Sequence, residues 1–121
     1  MRIHRLSDKE INSLNIPVQK YEEDAGFKEF KERAKAILGE TSLNYLKYLL
    51  ILYVVIDLYS LTNADRKNAL VKVMERMGLK QNTIQKIDNY LKLGLSTSYI
   101  TLLFLNHNKD KKTANDVCTR S

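Results

Sequence analysis

Apolar positions recur at spacings of three and four along most of the chain, which predicts helices and no strands. Ser7 opens the first over residues 8–14. Glu10 stands three positions on, as a capping box requires, and Ile11 and Leu14 face inward. Pro17 is expected to end it, because a residue before proline is pushed to extended geometry. A second helix runs from about Asp24 to Leu38 with Phe27, Phe30, Ala34, Ile37 and Leu38 on one face, Glu29 and Arg33 paired one turn apart, and Gly39 as its C-cap. Glu22, Glu23 and Asp24 precede it, where acids complement the positive helix end. They do not form a metal site, since no carboxylates elsewhere are placed to converge on them.

The third helix, residues 43–61, is different. Leu46, Leu49, Leu50, Tyr53, Val54, Asp57 and Leu58 make one stripe, but Ile51, Val55 and Ile56 lie elsewhere, so the helix is apolar nearly all round. Such a helix belongs at the centre of a bundle. Thr41 or Ser42 would cap it. The uncharged run between Lys47 and Asp57 is nine residues, against the roughly 20 that a membrane span needs. No membrane is therefore expected as a partner. Surplus apolar surface on this helix would instead serve a homodimer. Tyr45, Tyr48, Tyr53 and Tyr59 read as the edge of the core.

A fourth helix begins after Thr62, the expected cap, with Asp65 three positions on. It carries Leu70, Val73, Met74 and Met77 to a stop at Gly78. A fifth runs from about Gln81 to Leu93 with Ile84, Ile87 and Leu91 on one face, and ends at Gly94. Ser96 caps a sixth, residues 97–106, which is nearly all apolar. Residues 107–121 are polar and aperiodic and are expected to form a flexible basic tail. The expectation is an all-α protein, a single compact bundle of five to six helices over residues 1–106.

Composition narrows the chemistry. The 121 residues carry a formal charge of +6. Residues 1–61 hold nine Lys and Arg against nine Asp and Glu, whereas residues 62–121 hold eleven against five, so the whole excess lies in the second half. That asymmetry fits an anionic partner, DNA or an acidic protein surface. One cysteine, Cys118, excludes an internal disulfide and fits a cytoplasmic location. The two histidines, His4 and His107, form no zinc pattern, and no phosphate loop, nucleophile–histidine–carboxylate set or other catalytic motif is present. The reading is non-enzymatic, with no catalytic residues, no metal and no cofactor. The start of the chain has no apolar run of the kind a secretion signal carries.

Residues 74–93 carry the one recognisable constellation. Met77, Gly78, Leu79, Thr83, Ile84 and Ile87 resemble the helix-turn-helix of bacterial and phage repressors, within a helical hairpin over residues 62–94. The resemblance implies a left-handed turn at Gly78, a plug at Leu79, and Ile84 and Ile87 holding the second helix to the first. It leaves Lys80, Gln81, Asn82, Gln85, Lys86 and Asn89 as an exposed edge able to read DNA. Amides suit the N6/N7 edge of adenine, and lysine suits guanine or phosphate. Asp88 is the one acid expected nearby. Arg66, Lys67, Lys72, Arg76 and Lys92 would meet phosphates. Two features depart from the pattern. Methionine stands at position 74 where the family has a small residue, which should splay the two helices. The same spacing also recurs sixteen residues on, at Gly94 to Ile100, before a helix too apolar for a groove. The rival expectation is a helical module that docks on a protein, as an inhibitor, an immunity or anti-defence factor, or a subunit of an assembly.

Overall fold

The computed structural model describes residues 7–39 and 43–105. Their elements are α1 (Asp8–Ser13), α2 (Val18–Tyr21), α3 (Ala25–Leu38), α4 (Leu43–Leu61), α5 (Ala64–Arg76) and α6 (Gln81–Lys92), followed by α7 at residues 97–105. No strand occurs among the described residues, and the fold is all-α. The single turn α2 is the element that periodicity did not predict. The expected arm at residues 1–6, the caps Thr41 and Ser42, both histidines, Cys118 and the tail lie outside the described residues.

α4 is the interior. Leu49, Leu52, Val54, Val55 and Ile56 are fully enclosed, and Leu46, Tyr48, Ile51, Tyr53 and Tyr59 are buried. Helices α2, α3 and α5 pack against it. α7 runs antiparallel to it: Thr97, at the start of α7, bonds to Asp57 near the end of α4. Phe104, near the end of α7, approaches Tyr48 near the start of α4, with ring centroids 6.4 Å apart. On the side of α2 and α3, Tyr53 stacks on Phe30 at 4.8 Å and meets Phe27 edge-on at 5.5 Å. Each fully buried aliphatic or aromatic side chain contributes roughly 1.5–3 kcal/mol. By length and composition residues 44–61 could cross a membrane, yet here most of that stretch is buried inside the molecule. Leu61, 75% exposed at the very end, is the one large apolar side chain of α4 that stands in the open among the described residues.

Three helix ends share one closure. After α1, Asn15 takes φ 57°, and the Asn15 and Ile16 N–H groups donate to Asn12 and Ile11 carbonyls. After α5, Gly78 takes φ 97°, and Gly78 and Leu79 N–H donate to Glu75 and Met74. After α6, Gly94 takes φ 85°, and Gly94 and Leu95 N–H donate to Leu91 and Tyr90. Each is a Schellman motif, in which a left-handed residue lets two N–H groups satisfy the orphan carbonyls. The repeat of the Gly78 spacing at Gly94 is thus a repeat of this closure. It also corrects the end of α1: Asn15 stops that helix, and Pro17 only opens α2.

The N-termini are capped as short polar side chains dictate. Ser7 and Glu10 form the expected capping box, and the Asp24 carboxylate accepts from the Phe27 N–H at 2.9 Å. Glu22 turns instead to Lys31, at 3.7 Å. Asn63, not Thr62, caps α5 by accepting from the Arg66 N–H at 3.3 Å, while the Thr62 hydroxyl donates back to the Tyr59 carbonyl.

A Cβ at Gly94 would meet nothing within 4 Å, so Gly94→Ala isolates the backbone cost of φ 85°. The variant should lose about 1–2 kcal/mol, read as a lower urea midpoint with an unchanged m-value.

Candidate nucleic-acid interface

α5, the turn and α6 divide into a buried half and an exposed half. Leu70, Val73, Met74, Met77, Leu79, Ile84 and Ile87 are all buried. Lys80, Gln81, Asn82, Gln85, Lys86 and Asn89 are all exposed. Met74 is fully enclosed, and its carbonyl accepts from the Leu79 N–H at 3.1 Å. Its bulk is therefore taken up by the core. Along the exposed edge the Gln85 amide donates to the Asn89 amide oxygen at 3.1 Å, one turn away.

One neighbour of this edge was missed. Gln81 and Gln85 share a groove of about 250 Å³ with Val71 and Glu75 of α5. Asp88 is thus not the only acid near the amides. The signal was available: with only residues 77–80 between the helices, the first turns of α6 must start close to the end of α5, where Glu75 sits.

The five flanking cations do not form one free frame. Arg76 pairs with Glu10 of α1. The Lys92 ammonium lies 2.9 Å from the Asp88 carboxylate. Lys67 is half-buried, its ammonium 5.0 Å above the Tyr59 ring, a cation–π contact. Arg66 and Lys72 are exposed, but six positions along a helix of 3.6 residues per turn set them about 120° apart, so they do not share a face.

Behind α6 stand two carboxylates that composition alone did not single out. The Tyr59 hydroxyl of α4 donates to Asp88 Oδ1 at 2.7 Å. The Tyr21 hydroxyl of α2 donates to Asp57 Oδ2 at 2.6 Å, and the Thr97 hydroxyl of α7 donates to Asp57 Oδ1 at 3.1 Å. These bonds tie α2, α6 and α7 to the central helix. Between them opens a cleft of about 610 Å³, with Asp57, Tyr59, Lys67, Asp88, Lys92 and Thr97 in its lining. Two aspartates face two lysines there, so the formal charges balance. The hydroxyls donate to the carboxylates, which makes both aspartates structural acceptors. No group of three histidine, cysteine or carboxylate side chains suited to a metal ion occurs among the described residues.

The bond from Tyr59, then the one from Lys92, holds the Asp88 carboxyl below its ordinary value against an opposing effect of burial. Burial, followed by the bond to Asp88, pushes the Tyr59 hydroxyl up to about 12. Burial likewise raises Tyr21, with the Asp57 bond adding to it, and Tyr48.

Comparison with family models, curated proteins and solved structures finds no match to this chain.

The two shifts predict opposite pH limbs. Because Asp88 is lowered in the folded state, its contribution is present above the ordinary aspartate value of 3.8 and is lost as pH falls through the lower folded value. Because Tyr59 is raised, its contribution is present below 10.0 and is lost as pH rises through about 12. Urea midpoints measured against pH should show a shallower acid limb in Asp88→Asn and a shallower alkaline limb in Tyr59→Phe than in the wild type.

Proposed function

We propose that this chain is a non-enzymatic binding protein that engages duplex DNA through the exposed edge of α6, as a helix-turn-helix regulator does. One observation carries the reading: all six polar residues of that edge are exposed, while the residues that would seat the helix are buried. In this reading Asn82, Gln85 and Asn89 present amides to base edges, with adenine N6/N7 the best match, and Lys80 and Lys86 reach guanine or phosphate. Lys72 and Arg76, one turn apart on α5, and Lys92 on α6 supply phosphate contacts, while Arg66 and Lys67 stand about 120° or more around α5 from Lys72 and lie off that face. Arg76 and Lys92, whose own side chains are exposed, do so by leaving the half-buried Glu10 and Asp88 carboxylates.

A second reading rests on a different observation. Glu75 lines the groove that Gln81 and Gln85 share, and three of the flanking cations are already engaged with residues of the same chain. A surface of mixed charge suits a protein partner better than a polyanion. The module would then be an inhibitor, an immunity or anti-defence factor, or a subunit of an assembly.

A gel shift with mixed-sequence duplex DNA at two salt concentrations separates the readings. DNA binding predicts a shift at low salt that fades as salt rises. Gln85→Ala and Asn82→Ala should then lower discrimination between duplexes, by about 1–3 kcal/mol for a bidentate contact. Lys72→Ala should weaken all duplexes alike. No shift at low salt rejects the DNA reading in favour of protein docking.

A further inference from the structure

Lys92 and Asp88 differ in a way that matters for an anionic ligand. The lysine side chain is 73% exposed and the carboxylate that holds it only 17%. The carboxylate is also fixed from behind by the Tyr59 hydroxyl at 2.7 Å. The cation can swing away, and the anion cannot follow. Asp88 lies one turn before Lys92 and one position before Asn89, at the rim of the reading edge, and it lines both the α5–α6 groove and the cleft behind α6.

We propose that Asp88 is an intramolecular stand-in for a DNA phosphate, holding Lys92 until the backbone of the duplex takes its place. The inference rests on the DNA reading of α6. Free protein keeps Lys92 neutralised against a fixed carboxylate. On binding, the Lys92 ammonium exchanges one oxyanion for another, so this contact releases less of the counterion atmosphere than an unpaired lysine would. Asp88 is therefore an affinity-setting positioning residue: it touches no base or phosphate and acts through Lys92. Asp88→Asn keeps an amide oxygen for the Tyr59 hydroxyl and removes the charge that holds the lysine.

The test is a salt series on a mixed-sequence DNA duplex with wild type, Asp88→Asn, and Asp88→Asn combined with Lys92→Met. Asp88→Asn should bind roughly two- to fivefold more tightly at low salt, the range of an exposed ion pair, and its log–log salt slope should steepen by up to about 0.9, one phosphate contact. The added Lys92→Met should erase both gains. An Asp88→Asn slope equal to the wild type's, or a gain that survives Lys92→Met, overturns the inference. A purely structural role would move the melting curve and leave the slope alone. In the wild-type chain, a check that needs no variant, the Asp88 carboxyl carbon resonance should shift when duplex is added, and an unmoved resonance also overturns it. Wild type that binds no duplex at low salt overturns the DNA reading and this inference together. Wild type that binds, with an unchanged Asp88→Asn slope, overturns this inference alone.

Discussion

A helix with no polar face must be enclosed, and the architecture follows from that constraint on α4. Its side chains from Tyr48 to Ile56 are buried apart from the half-buried Leu50, so neighbours must cover it on every side. α2 and α3 cover it with Tyr21, Phe27 and Phe30, α5 packs along it, and α7 lies antiparallel across it. Burial of this kind is non-directional. It brings helices together without fixing how each is rotated or how far it slides. Direction comes from the carboxylate–hydroxyl bonds. Asp57 on α4 takes one hydroxyl from α2 and one from α7, and Tyr59 on α4 donates to Asp88 on α6.

The outward face of α6 follows from that anchoring. Ile84 and Ile87 seat the helix, and Asp88, on the same inward side, is held to Tyr59. The edge bearing Gln81, Asn82, Gln85, Lys86 and Asn89 is what remains for solvent. The same anchoring places charge. Asp88 gathers Lys92 to itself, and Lys67 rests on the Tyr59 ring, so cations counted as a frame around α6 are partly engaged with its support. The basic excess of the second half of the chain is real as composition and weaker as a focused field.

What the sequence made legible was local. The Ser7–Glu10 capping box, the Glu29–Arg33 pair at 2.9 Å, the caps at Gly39, Gly78 and Gly94, and the central place of α4 all depend on residues within a turn or two, or on periodicity. The exposed edge of α6 was legible for the same reason. The errors of local reading had near-equal competitors. Asn15 adopts the left-handed conformation that asparagine tolerates and ends α1 before Pro17 acts, and Asn63 takes the cap beside Thr62. What could not be read was pairing across the chain. Asp57 falls in the inward stripe of α4 with no partner named, because Tyr21 and Thr97, which bond to it, lie 36 and 40 positions away. Arg76 looked free because Glu10 lies 66 positions away.

Amide hydrogen exchange along α4 addresses the enclosing of that helix most directly. If α4 is the interior of a single chain, amides of residues 49–56 should exchange only through global unfolding, with the highest protection in the molecule and no dependence on protein concentration. Exchange by local opening in that stretch, or protection that grows with concentration because a second chain supplies the cover, would contradict the account.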